Sequence, residues 1–153
     1  DHECHDLSDA IAKLQRGQFI MIREGTAAHN LEALVSLLQP QYIERCMFCT
    51  GDQPLLQRET IAALALSAVN DKNSIWRTAF EGTPGSPVIF PSWAFNELGN
   101  LPEGKGGGVI IKKNPELVKY YTVQNGYELE DIDTPDDLEN LLKQQHKKST
   151  DQR

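Results

Sequence analysis

Positive charge is the first thing this chain is short of: 15 Lys and Arg stand against 22 Asp and Glu, a formal net charge of -7 over 153 residues. That balance argues against a nucleic-acid backbone or an anionic membrane as the main partner. A nucleotide stays open, because a few phosphates need only local positive charge or a metal ion. Cysteine is also scarce. The 3 cysteines, an odd number, form no disulfide framework, and a reducing, cytoplasmic setting is the expectation. Cys46 and Cys49 make a CxxC, but they lie in the apolar run RCMFCT, where residues three apart on a strand face opposite ways. Packing is therefore favoured over a shared metal. No apolar run approaches the roughly 20 residues of a membrane span, and the polar stretch DHECHD does not read as a signal peptide.

What is present is an alternation of apolar runs and helical patterns, as in an α/β layer fold on a largely parallel sheet. A helix is expected over Leu7 to Arg16, capped by Asp6 or Ser8, followed by a strand over Phe19 to Ile22. Asn30 is placed to cap a helix through about Leu38, and Arg45 to Thr50 reads as the next strand. Past the Pro54 turn, the spacing of Ile61, Leu64 and Ala68 predicts a helix from about Arg58 to Val69. Strands at Ser74 to Phe80 and Pro87 to Phe90 flank the turn-rich EGTPGS, and Pro91 opens a short helix through Leu98. The glycine-rich stretch from Gly99 to Gly108 reads as a loop. Val109, Ile110 and Ile111 after it are poor helix formers, which predicts strand-like or irregular backbone. Leu117 to Val123 and Tyr127 to Ile132 read as strands turning at Gly126. A last helix starts near Thr134-Pro135 and runs to about Gln145, with residues 147–153 as a disordered tail.

Two families resemble different parts of the sequence and meet in CMFCTGDQPLL. From Asp1 to about Thr50, the text DHEC, KLQRGQFIMIREGTAAHNLEAL and RCMFCT resembles the bacterial adenine deaminases of the amidohydrolase superfamily. The resemblance implies a barrel with metals at the C-terminal ends of its strands. His2 and Glu3 would then lie at a metal site, with Arg23 and Glu24 at the mouth of the next strand. Zn2+, Mn2+ or Fe2+ would activate water against a carbon bearing an exocyclic amine. The sequence departs from that family at Gly51, where an aspartate is expected, and it has no HxH pair. The plain alternative for His2, Glu3, Cys4 and His5 is an exposed polar end that picks up transition metals unselectively.

From about Cys46 to Leu142, the text GDQPLL, GTPGSPVIFP, a glycine-rich loop running into NP, and DIDTPDDL resembles the molybdenum cofactor cytidylyltransferases, in the MobA-like group with its Rossmann-like fold. By that resemblance Asp52 is the catalytic residue. It stands at the end of a strand and holds Mg2+ against the phosphates of CTP. Asp131 and Asp133, alternate residues at the end of another expected strand, share a face and can complete the metal site if the two strands are neighbours. Gly51, Gln53 and Pro54, together with Gly85, Ser86 and Pro87, would shape the substrate pocket. The family joins CTP to a pterin phosphate, releasing pyrophosphate, chiefly through positioning and charge neutralisation. Structural alternatives stand beside these roles. Asp133 is also placed to cap the last helix, Asp136 and Asp137 suit that helix's first turn, and PGS makes a good turn. The family's Gly-rich nucleotide loop, GGxSxRMGxxK, has no match; EGTAAHN is loop-like but has one glycine and no nearby lysine.

The expectation is thus a single α/β domain over residues 1–146, Rossmann-like and layered, on a mixed, mostly parallel sheet, with residues 1–50 deaminase-like and 46–142 cytidylyltransferase-like. Its expected function is that of an impaired cytidylyltransferase using Mg2+, CTP and a pterin, in the cytoplasm, without nucleic acid or membrane. The alternatives are a catalytically silent hybrid domain with a binding or structural role, and a metal-dependent deaminase fragment. An exposed strand edge leaves a homo-dimer open.

Overall fold

The computed structural model describes residues 6–16, 24–25, 28–29, 37, 43–139 and 141. Helix α1 (Leu7–Gln15) starts at Asp6, whose carboxylate accepts from the Asp9 amide at 2.9 Å and from the Ser8 hydroxyl at 2.7 Å. The cap is therefore Asp6, and Ser8 supports it. Ala10 of α1 is buried with Leu37, and Leu7, Ile11 and Leu14 pack around them. Two short strands, β1 (Glu24–Gly25) and β2 (Ala28–His29), pair antiparallel. The expected strand over Phe19 to Ile22 lies outside the described residues, as do most of the expected helix from Asn30, the tail, and His2, Glu3 and Arg23.

From residue 45 onward the chain builds one sheet. Its strands are β3 (Arg45–Phe48), β4 (Ile75–Phe80), β5 (Thr83–Pro91) and β6 (Val118–Thr122), in the spatial order β3-β5-β4-β6. The sheet is mixed, as expected, but not mostly parallel: β3 with β5 and β5 with β4 are antiparallel, and β4 with β6 is parallel. The cause is the turn after β4. Phe80 pairs with Thr83 across a two-residue turn, Glu81 and Gly82, whose φ values of 47° and 82° are both positive. Two positive φ values match the twist of a tight antiparallel hairpin. The turn is thus only Glu81-Gly82, and Thr83 to Ser86, expected as turn, extend β5 instead. The ladder is irregular opposite Thr78, where Gly85, Ser86 and Pro87 lie beyond the regular pairing. Arg77 fills the gap, donating from Nε and from a terminal nitrogen to the Gly85 carbonyl at 3.1 and 3.0 Å.

Helices cover both faces of the sheet. On one side α2 (Arg58–Val69) buries Leu64 and Ala68 against Ile89, with Met47, Trp76 and Tyr121 around them. Thr60, not Ile61, is the third inward residue of α2. On the other side a 3-10 turn (Ser92–Ala94), α3 (Phe95–Gly99) and α4 (Gly108–Lys113) close over Ile75, Phe90, Ala94 and Ile110. Neighbours such as Ile89 and Phe90 point to opposite faces, so one strand feeds both layers. That arrangement is the Rossmann-like layering. The α4 helix corrects the expectation of strand-like backbone at Val109 to Ile111. Ile110 is wholly buried there, and such burial contributes about 1.5–3 kcal/mol, against at most ~0.7 kcal/mol of helix propensity lost per β-branched residue.

A second correction falls at Tyr127 to Ile132, which is not a strand. Gly126–Leu129 is a 3-10 turn and residues 130–133 have no regular structure. Gly126 lies flat on Phe80, where a Cβ would come within 2.5 Å of the ring, and Glu128 turns into the interior. Between α2 and β4, Asp71 gathers the turn: it accepts from Lys119 at 2.6 Å, the Ser74 amide at 3.1 Å, and the Asn73 amide and Trp76 indole at 3.3 Å. The Lys119 ammonium, with the Ser74 and Asn73 groups, holds its carboxyl well below the usual carboxylate range. Among the described residues no helix is long and apolar enough to cross a membrane.

Candidate functional site

The turn after β3 carries Gly51, Asp52, Gln53 and Pro54 at the strand's C-terminal end, where open α/β sheets place ligands. Asp52 is half-buried, and its Oδ1 is shut off from solvent without a hydrogen-bond partner. Its backbone carbonyl accepts from the Ile132 amide at 2.9 Å. Asp131 and Asp133 are the residues on either side of Ile132, and both are exposed. The structure therefore brings DIDTP beside GDQP, as the resemblance requires, although through an irregular segment and not a neighbouring strand.

Gln53 is buried, and its side chain is engaged with protein. Its Nε2 donates to the Leu129 carbonyl at 3.1 Å, while Oε1 has no partner. Pro54 and Gly51 are exposed. Gly85, Ser86 and Pro87 lie in the irregular part of β5. Pro87 is fully buried, and the space a Gly85 side chain would fill is taken by Leu129, whose Cδ1 is 2.9 Å from the ideal Cβ position. Thr78 Oγ1, 3.4 Å from that position, is buried and unpartnered.

The last helix begins at Thr134. Its amide and hydroxyl donate to Asp137 at 2.9 and 2.7 Å, and the Asp137 amide donates back to the Thr134 hydroxyl at 3.2 Å. That reciprocal pattern is a capping box, so the cap is Thr134 and not Asp133. The Thr134 hydroxyl and amide lower the Asp137 carboxyl below its ordinary range. Asp133 is released from the structural role assigned to it by sequence.

Magnesium keeps several waters and takes one or two carboxylates plus substrate phosphates. An unpartnered Asp52 oxygen with exposed Asp131 and Asp133 nearby suits that donor set. It is not a ready-made cage: among the described residues no three His, Cys, Asp or Glu come close enough to share a metal. Burial, then the neighbouring Cys49, pushes the Cys46 thiol up to about 11, and burial raises Cys49, so both remain protonated at neutral pH.

Two residues at this site carried no signal in the sequence. Thr60, on the first turn of α2, donates its hydroxyl to Glu128 Oε2 at 2.5 Å, and both side chains are buried. In the acidic text ELEDID nothing distinguishes the one carboxylate that turns inward.

With this geometry in place, comparison with known proteins defines the class. Residues 7–118 match the model of the MobA-like NTP transferase domain, and the chain belongs to that family. The crystal structure of a Mycobacterium tuberculosis rv0371c homolog from Mycobacterium sp. strain JC1 shares the fold, with a TM-score of 0.59 and 23% identity over 88% of this chain and 70% of that one. Adenine deaminases also match. One from Escherichia coli (strain SMS-3-5 / SECEC) is 32% identical over 120 residues, and one from Methanoregula boonei is 44% identical over 52. The chain spans only 20% and 9% of the lengths of these relatives. The transferase likeness and the Escherichia coli alignment both cross the boundary expected at residues 46–50, whereas the 52-residue Methanoregula boonei alignment need not. The transferase model begins at residue 7, and an alignment covering 76% of the chain necessarily runs well past Thr50.

Proposed function

We propose that this domain transfers a cytidylyl group from CTP to a terminal phosphate of a pterin, using Mg2+. The observation that supports it most is the unpartnered Asp52 Oδ1 in a turn whose carbonyl is bonded to Ile132, between Asp131 and Asp133. When bound, Mg2+ would neutralise triphosphate charge. Asp52, together with the exposed Asp131 or Asp133, would hold it. A pterin phosphate oxygen bonds to the α-phosphorus of CTP as the bond to the bridging β-phosphate oxygen breaks, and pyrophosphate leaves. Because EGTAAHN is a poor substitute for a Gly-rich phosphate loop, binding of CTP is proposed to be weak.

The test is thermal unfolding followed by circular dichroism, with and without millimolar Mg-CTP. With ligand at tenfold its Kd the folded state gains about 1.4 kcal/mol. The wild type should melt higher with Mg-CTP, and Asp52→Asn should not. No rise in the wild type, or the same rise in Asp52→Asn, refutes the reading, and the first result leaves the silent α/β domain. A second reading, a deaminase-like metal site at His2 and Glu3, is favoured by the partial likeness to adenine deaminases. It predicts Zn2+, Mn2+ or Fe2+ binding that disappears in His2→Ala.

A further inference from the structure

A buried carboxylate is costly unless it is paired, so the inward turn of Glu128, 5% exposed beside the exposed Glu130, Asp131 and Asp133, needs a physical reason. The reason lies at the start of α2. That helix has no side-chain cap of its own: Gln57, at the cap position, donates to the Leu55 carbonyl at 2.8 Å instead. Its first turn thus presents the positive end of the helix dipole, an environment that favours a negative group. Glu128 meets that turn through the Thr60 hydroxyl.

The same contact has a second effect. Among the described residues no strand ladder joins the turn at Asp52 to the segment at Asp131, and hydrogen bonds at three places tie the two. These are the Asp52 carbonyl with the Ile132 amide, Gln53 with the Leu129 carbonyl, and Thr60 with Glu128. The residues in the last two pairs are 76 and 68 positions apart in sequence. Of the three, only the Thr60–Glu128 bond is made to a carboxylate and buried at both ends. We infer that Glu128, held by Thr60, is a positioning residue that sets the separation between Asp52 and the Asp131–Asp133 pair. Gln53 acts with it, its amide turned to the Leu129 carbonyl.

The part of this inference that concerns metal rests on the proposed transferase function; the part that concerns position does not. The experiment reads both. Mn2+ affinity is measured by calorimetry, and hydrogen exchange of the Ile132 amide by NMR, in the wild type and in Glu128→Ala, Glu128→Gln, Thr60→Val and Thr60→Ser. Glu128→Ala and Thr60→Val should weaken Mn2+ binding about tenfold, the usual loss when a group supporting a ligand is removed. They should also speed exchange at Ile132. Glu128→Gln and Thr60→Ser, which keep an acceptor and a hydroxyl, should stay near wild type. A role in stability alone would lower the melting temperature and leave the Mn2+ affinity of the folded protein unchanged. Unchanged affinity and unchanged Ile132 exchange in both disruptive variants overturn the inference. If Glu128→Ala does not fold, Thr60→Val, with its matched volume, decides. If the wild type binds no Mn2+, the transferase reading falls, and Ile132 exchange alone judges the positioning role.

Discussion

Replacing Gly126 with alanine tests how the Asp131–Asp133 segment is seated. The new Cβ would stand 2.5 Å from Phe80 Cδ1 and 2.7 Å from Cε1, inside any tolerable carbon–carbon contact. Either the ring or the turn must move by roughly 1 Å, since non-bonded carbons settle at about 3.5 Å or more. Overpacking of this kind costs about 1–3 kcal/mol. Against it stands about 0.4–1 kcal/mol from the stiffer unfolded chain, which applies because Gly126 does not use the left-handed φ that only glycine favours. The net loss should be roughly 1–2 kcal/mol, a drop of about 2–8 °C in melting temperature for a domain of this size. The decisive measurement is a double-mutant cycle with Phe80→Ala, read by urea unfolding. Removing the ring removes the clash, so Gly126→Ala should be neutral or stabilising in that background. Energies that simply add, within about 0.5 kcal/mol, would show that Phe80 and residue 126 do not press on each other, and the account of the turn would be wrong.

Thr134→Ala removes the capping box of the last helix and should cost about 1 kcal/mol in chemical denaturation, whereas Asp133→Ala should cost much less. Asp71 gives a pH dependence of definite sign. Its folded carboxyl is held below the ordinary value of 3.8, so its contribution is present above that pH and declines as the pH falls below it. Melting temperature followed from pH 6 down to 2 should fall less steeply in Asp71→Asn; parallel curves would refute the assignment.

How much was legible depended on where the information lay. The helix Arg58–Val69 matches its expected bounds because a run of good helix formers and the turns on either side are encoded in adjacent residues, although the inward face includes Thr60 and not the expected Ile61. Asp6 as a cap and the strand starting at Arg45 were readable for the same reason. The α4 helix was not, since Ile110 is helical on account of a core built from Ile75, Phe90 and Ala94, far away in sequence. The strand expected at Tyr127 failed because Gly126 answers to Phe80 and Glu128 to Thr60, neither of which is nearby. The strand directions were misjudged because EGTPGS offers several turns and only backbone geometry selects Glu81-Gly82. At the site, the proximity of GDQP to DIDTP could be anticipated from the resemblance. The buried pair that supports it could not.

The distances along the chain between the site's partners also bear on when the site forms. The β4–β5 hairpin closes over two residues, whereas Thr60 must find Glu128 across 68 and Gln53 must find Leu129 across 76. Closing a longer loop carries a larger entropy cost, and contacts remote in sequence delay folding. The β4–β5 hairpin should therefore be native in the folding transition state while the Asp52–Ile132 junction is still open, with φ-values near zero for Thr60→Val and high ones in the hairpin. A chain caught at that stage would have its hairpin in place and yet no place to hold the proposed metal, because the proposed chemistry lies at a joint that closes late.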